Sequence, residues 1–427
     1  MKSISGKELI FRGFKIATMA SNAGKFKCEI SNAPIHQTTD DSNYGMLQET
    51  AIGVADGKIT WLALEQEIDI AGLTFERTIN GEGRLLTPGL IDCHSHLVFG
   101  GNRATEWERR LNGCSYEEIA KQGGGILSTV SATRAASEGE LFQTAAKRLK
   151  YLLSEGVTTV EIKSGYGLNL DSELKMLRVA NRLGLEFPVS VEATLLAAHA
   201  VAPEFKGNPD AFIQHVCDTI LPQSAELCTA VDAFCESIAF DLPQTQRVFE
   251  RAKQLGLNIK VHAEQLSHTG AAALAANMGA ISADHLEYLS ADDCVTLGQQ
   301  GTVATLLPGA YYCLNEKQKP PLAALRDNHV PIAIATDSNP GSSPVLSLLL
   351  MGNMACNIFG LTPCEALAGM TINAAKALNL DQSIGSIEKN KQADFATWDV
   401  DSPAELVYCI GGNPCAAVYK AGKRTEF

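Results

Sequence analysis

A chain of 427 residues with 45% hydrophobic composition can bury a large core and is long enough for two or more domains. Its formal charge of −13, from 35 basic against 48 acidic side chains with no basic run, excludes the electrostatic footprint of a nucleic-acid binder. No stretch approaches the ~20 consecutive apolar residues of a membrane helix, and no apolar segment follows the opening Met1-Lys2-Ser3-Ile4-Ser5-Gly6-Lys7, so a cytoplasmic protein without a membrane partner is expected. The twelve cysteines are dilute, irregularly spaced and free of C-x-x-C pairs, which predicts reduced thiols. Cys28, Cys217, Cys228, Cys294, Cys356 and Cys364 lie in apolar contexts and are expected to pack as small hydrophobes.

Up to about Thr87 the chain shows short alternating apolar runs broken by Gly and Asn, and Ala51 to Trp61, with Asp56-Gly57 at its centre, predicts a hairpin. The texture then changes to short β-rich runs alternating with Ala/Leu/Glu/Lys segments of helical period. Eight strands are predicted: Leu90 to Cys93, Val157 to Ile162, Val189 to Thr194, Val231 to Cys235, Asn258 to Val261, Ile281 to Ala283, Thr302 to Leu306 and Pro331 to Ala335. Helices over Leu141 to Ser154, Ser172 to Leu183, Gln244 to Leu255 and Ala271 to Met278 separate several of them, as parallel strands require. Eight such units over roughly 250 residues predict an α/β fold of the closed (β/α)8, TIM-like kind rather than an open sheet. Gly123-Gly124-Gly125 falls in a loop after the first strand and reads as a flexible or substrate-covering loop more than a phosphate cradle. The chain ends as it began, with strand and turn at Ala393 to Trp398 and Ala416 to Lys423, so the two termini are expected to share a sheet domain.

Barrel enzymes place their chemistry at the carboxyl ends of strands, and five of the nine histidines fall there. His94 and His96 close the first predicted strand, His199 follows the third, His262 ends the fifth and His285 the sixth, while Asp337 ends the eighth. On an extended segment the His94/His96 spacing turns both imidazoles to one side, as two ligands of one ion require. Such a pair is by itself more often structural. Here an apolar run from Leu86 to Asp92 delivers both to a barrel mouth, which packing explains poorly. Singly, His262 reads as a core histidine and Asp337 as a cap before Ser338-Asn339-Pro340. Together with the pair they make a three-imidazole, one-carboxylate set with room for water, suited to Zn²⁺ or Fe more than to Mg²⁺ or Ca²⁺.

The Pro88-Gly89-Leu90-Ile91-Asp92-x-His94-x-His96 string, the later strand-end histidines and Thr336-Asp337 resemble the amidohydrolase superfamily over nearly the whole chain. That resemblance implies a composite β-sandwich built from both termini, to which Gly385-Ser386-Ile387-Glu388 through Ala393-Asp394-Phe395 return the chain. The expected division is 1–87 and 385–427 for the sandwich and 88–384 for the barrel. Binuclear members carry a carbamylated lysine at the end of strand four. This chain has Ala233-Phe234-Cys235-Glu236 there, which implies one metal ion per subunit, Zn or Fe, and leaves Lys163 on strand two in a supporting position.

Five finer strings are similar to the branch that opens the imidazolone ring in histidine breakdown: Phe99-Gly100-Gly101-Asn102-Arg103, Lys163-Ser164-Gly165-Tyr166-Gly167, Ala197-Ala198-His199-Ala200, Val261-His262-Ala263-Glu264-Gln265 and Thr336 to Ser342. By that resemblance water cleaves the lactam C–N bond of 4-imidazolone-5-propanoate to give N-formimidoyl-L-glutamate, in a homodimer. It implies His94, His96, His262 and Asp337 as metal ligands, with Asp337 also the general base and His285 polarising the carbonyl. Arg103 would bind the propanoate. Tyr166 and His199 would hold polar edges of the substrate, and Asn339, Gly341 and Ser342 the loop that meets it. Gln265 either joins proton transfer or binds a ring nitrogen only. Two other readings stay open: a ring deaminase or another cyclic amidase, against which Arg103 argues, and a catalytically dead assembly protein, against which the complete ligand set argues.

Overall fold

Eight short runs of small and β-branched residues, most of them buried on both faces, become the strands of one parallel sheet whose spatial order is the chain order. In the computed structural model, which describes residues 8–20, 26–32, 35, 44–71, 73–114 and 124–426, they are Leu90–Asp92, Val157–Lys163, Ser190–Ala198, Ala230–Cys235, Asn258–Ala263, Ser282–His285, Val303–Leu306 and Ile332–Ile334. The opening heptapeptide and Gly123 lie outside the described residues. Helices Glu138–Ser154, Leu170–Glu186, Leu242–Gln254, Ala271–Asn277 and Ala291–Gln300 supply crossovers. Their starts are set by local chemistry: Asn169 accepts from Ser172 N at 2.9 Å, and Asp241 with Gln244 forms a reciprocal capping box ahead of Leu242–Gln254.

The ring of strands is joined at its mouth. Asp337 N donates to His94 O and His96 N to Ser338 O, each at 2.9 Å, around a parallel bridge between Ser95 and Ser338. The third strand runs further than its sequence predicts, to Ala198, through a register shift between Leu195 and Ala198. Leu195-Leu196-Ala197-Ala198 has helical propensity, and pairing with the neighbouring strand overrides it.

The described chain divides into two compact units, one of residues up to 92, 152–159 and 347 onward, the other of 93–151 and 160–346. The first holds two further sheets. One is four-stranded, in the order Lys58–Leu64, Thr50–Ala55, Leu9–Arg12, Arg77–Asn80. The other is six-stranded and mixes both termini: Phe395–Trp398 pairs with Leu85–Pro88 on one side and Cys415–Lys420 on the other. The hairpin read from Ala51 to Trp61 is present, its two-residue turn formed by Asp56 at φ +49° and Gly57 at φ +75°. Ile10, Phe11, Ile52 and Ile59 of the smaller sheet pack with Ile16, Leu86, Phe395 and Tyr419 of the larger in one buried cluster, with Phe11 edge-on to Phe395 at 5.1 Å and to Tyr419 at 4.9 Å. Each such side chain contributes about 1.5–3 kcal/mol by leaving water, which fixes both ends of the chain in one sandwich.

All twelve cysteines are free thiols. Cys28, Cys217, Cys228 and Cys294 are buried as expected, whereas Cys356 and Cys364 are only half-buried, because each lies on a helix with one open face.

Candidate active site

Five histidines and one aspartate meet at the carboxyl end of the barrel. His94 and His96 stand on the extended segment beyond the first strand, pinned by the two backbone bonds that join it to Asp337 and Ser338. His262 is the penultimate residue of the fifth strand and His285 the last of the sixth. The backbone is strained around them: His285 has φ +82°, Leu286 +74°, Asp337 +48° and Glu264 +55°. A left-handed non-glycine residue costs about 1–3 kcal/mol, and such residues concentrate where geometry serves function.

Each of two histidines has a carboxylate behind it. Asp284 Oδ2 lies 2.7 Å from His94 Nδ1 and Asp232 Oδ2 lies 3.0 Å from His262 Nδ1, all four side chains being buried. A carboxylate at Nδ1 turns Nε2 forward as a lone-pair donor. His94 Nε2 and His96 Nε2 both lie 3.4 Å from Asp337 Oδ1. His94 Nε2 is buried with no hydrogen-bond partner among the described residues, which is what a ligand atom facing an ion would show. Ligand atoms of His94, His96 and Asp337 fall within 4.8 Å of one another, and so do those of His94, His262 and His285. The two triads share His94 and together hold five residues, the four expected ligands and His285. Imidazoles and a carboxylate in this spacing fit a metal ion.

Burial pushes His96 down to about 4 and His199 and His285 down to about 3, so all three are neutral near pH 7. Burial works the other way on Asp337, but the imidazoles of His94 and His96 beside it, with the electrostatic effect of His94 and His285, hold it well below the usual carboxylate range. His94 is raised, the effects of burial and Lys163 being outweighed by Asp284 and Asp337.

In front of these groups lies a cavity of about 310 Å³, lined by His96, Tyr166, His199, Gln265, His285 and Ser342 among others. Tyr166 and His199 are neighbours at 5.4 Å between rings, and His199 stacks on His96 at 5.7 Å. His199 Nδ1 is 3.1 Å from Gly165 O. Arg103 is placed differently. It lines an adjacent cavity of about 430 Å³ with Glu106, Arg110 and Arg148, Asn339 being common to both cavities. Its guanidinium is paired with Glu106, whose other oxygen accepts from Gly125 N at 2.8 Å. Gly341 makes that seat possible, since a Cβ there would come within 2.1 Å of Arg103 Nη1. Asn339 braces its own loop: Oδ1 accepts from Gly341 N and Ser342 N at 2.8 Å and Nδ2 donates to Asp337 O at 2.7 Å.

Sequence reasoning missed Asp232, Asp284, Glu161 and Lys260. Their signal was period-two alternation: Glu161 with Lys163, Lys260 with His262 and Asp232 within an apolar strand all project into the barrel. Lys163, expected in a supporting position, is fully buried and lies 2.7 Å from Asp232, 3.0 Å from Glu161 and 3.6 Å from Asp284.

The chain matches the Amidohydrolase family over residues 85–425. An imidazolonepropionase of Erwinia tasmaniensis is 52% identical over 390 residues, covering 91% of this chain and 96% of that one. One from Shewanella sp. strain ANA-3 is 54% identical over 382 residues, covering 89% and 94%. Among solved structures, a triazine hydrolase variant aligns with a TM-score of 0.72 at 15% identity, covering 98% of this chain and 94% of that one. A zinc-bound adenosine deaminase from Xanthomonas campestris aligns at 0.69 and 17%, covering 98% and 92%.

Proposed function

The chain belongs to the imidazolonepropionases of the amidohydrolase family, and from that membership and its barrel mouth we infer that it hydrolyses the cyclic amide of 4-imidazolone-5-propanoate to N-formimidoyl-L-glutamate. The observation that carries the reading is the orphaned His94 Nε2 beside His96 and Asp337, in a chain more than half identical to those relatives. His94, His96, His262 and Asp337 would hold one ion per subunit, Zn²⁺ or Fe. When bound, such an ion polarises a carbonyl and brings the pKa of water from ~15.7 toward ~7.

The rest falls to side chains. Asp337, held ionised, takes a proton from the attacking water as its oxygen bonds to the lactam carbonyl carbon. As the C–N bond breaks, that proton passes to the departing ring nitrogen, so water is added across the bond and the carbonyl carbon becomes a carboxylic acid, which loses its remaining proton to solvent. His285, neutral and aimed into the cavity, donates to the oxygen that gains negative charge, a contribution of about 10²–10³ in rate. Gln265 bonds a ring nitrogen through its amide, and Tyr166 and His199 hold the substrate's polar edges. Arg103 takes the propanoate, which competes with Glu106 for the guanidinium. Asn339, Gly341 and Ser342 shape the loop beneath it.

Twelve free thiols support a reducing, cytoplasmic setting. No helix among the described residues is long and apolar enough to cross a membrane. The likeness to the family supports a homodimer. The test is an ultraviolet assay on freshly generated 4-imidazolone-5-propanoate, following loss of the ring chromophore with purified protein before and after chelation. Turnover above the spontaneous rate that chelator abolishes and metal restores is the expected result. Metal-replete protein that leaves the chromophore decaying at its spontaneous rate would refute the substrate.

A further inference from the structure

Behind the histidines the barrel interior holds a closed set of charges, and one member touches more of the set than any histidine requires. Lys163 Nζ lies 2.7 Å from Asp232 Oδ2 and 3.6 Å from Asp284 Oδ2. These are the same oxygens that stand 3.0 Å from His262 Nδ1 and 2.7 Å from His94 Nδ1. The remaining oxygens, Asp232 Oδ1 and Asp284 Oδ1, are buried and have no hydrogen-bond partner among the described residues. Each carboxylate thus faces an imidazole and the same ammonium through one oxygen, hydrogen-bonded to His94 in Asp284 and to Lys163 in Asp232, with Lys163 and His262 respectively at ion-pair distance. The lysine backbone is tied to the same place, since Lys163 N donates to Ser95 O at 2.8 Å, between His94 and His96.

We propose that Lys163 is a positioning residue of the metal centre, a single buried ammonium that links the two carboxylates orienting His94 and His262. The proposal rests on the metal reading of the site. Lys260 has a different place: its Nζ is 2.7 Å from Glu161 and 2.9 Å from Cys93 O, and it holds the outer carboxylate. Glu161 in turn lies 3.0 Å from Lys163, so the order runs from Lys260 through Glu161 and Lys163 to the paired aspartates and then the imidazoles. Without Lys163, Asp232 would lose the lysine within ion-pair distance and Asp284 would keep only the more distant charge of Lys260, weakening the hold on the rings they face. Loss of a group of this kind costs about 10–100-fold in metal affinity.

The test compares the full-length native protein with Lys163→Met and with the double variant Lys163→Met/Glu161→Gln, which preserves the net charge of the set while removing the bridge. Metal content is followed by elemental analysis during timed exposure to chelator. The visible spectrum is recorded after Co²⁺ substitution, and folding is checked by circular dichroism. Folded variants are expected to release metal about 10–100-fold faster than native protein and to show a displaced cobalt band. A folded variant that keeps its metal and its cobalt spectrum as native protein does overturns the proposal. If both variants fail to fold, Lys163 is a structural residue and the proposal also falls. Native protein that binds no metal instead overturns the reading beneath it.

Discussion

His94 and His262 differ from ordinary core histidines in what faces each ring nitrogen, a carboxylate on one side and the open mouth on the other. Truncating His262→Ala removes a donor and leaves Asp232 partly unpaired. Bound metal and kcat/KM are expected to fall together by more than about 100-fold, read by elemental analysis beside steady-state rates. Arg103→Ala should leave metal content untouched and raise KM about 10–100-fold, the loss of a charge-assisted contact of roughly 1.5–3 kcal/mol. Unchanged KM would place the propanoate elsewhere in the cavity. At this scale the sequence was informative wherever an unusual residue closed an apolar strand, as at His94, His96 and Asp337. Asp232 and Asp284 were harder to place, because the alternation that marks a lone aspartate in a strand has no assigned direction until the register of the barrel decides which face is inward.

The loops at the barrel mouth are braced from below by buried glutamates. Glu173, near the start of the helix after the second strand, accepts from Gly165 N at 3.0 Å and from Gly167 N and Leu168 N at 2.8 Å, bracketing Tyr166 on both sides. Glu264 and Glu236 do the same for later loops, accepting from Thr269 N at 2.7 Å and Leu266 N at 2.8 Å. A glutamine at position 173 offers one acceptor where three donors converge, so Glu173→Gln should raise KM with little change in kcat and cost about 1–3 kcal/mol of stability. Kinetics and denaturant titration on the same preparation check both; a wild-type KM would free Tyr166 from this support. Gly156, just before the second strand, sits at φ +89° with room for a Cβ only 2.7 Å from Trp398. Gly156→Ala is expected to lose at least about 1–3 kcal/mol in urea unfolding. Strands and crossover helices were legible from their apolar rhythm, whereas the braces were not: Glu173 reads locally as an acidic residue of a helix's first turn, and only the folded loop shows what it holds.

At the scale of the whole molecule, the shared sheet was visible as similar texture at both termini, but its pairing of Leu85–Pro88 with Phe395–Trp398 depends on a contact no local pattern encodes. The balance of the barrel interior was equally hidden. Glu161, Asp232, Asp284 and Asp337 face the ammonium groups of Lys163 and Lys260, all fully or almost fully buried, and in a stripped site the surrounding imidazoles alone are left to offset the rest of that negative charge. Removing the metal should therefore lower the thermal midpoint, and restoring an ion at ~100 times its dissociation constant should return about 2.7 kcal/mol; a midpoint indifferent to metal would contradict the charge balance. The seam where Asp337 N meets His94 O also orders events during synthesis. A ribosome releases His94 and His96 long before Asp337, with nearly all the barrel emerging in between. Until that last strand arrives, the nascent chain offers an ion only part of its cage. An ion gripped by all of these residues would therefore report that the chain has been made at least through Asp337 and that this seam has closed.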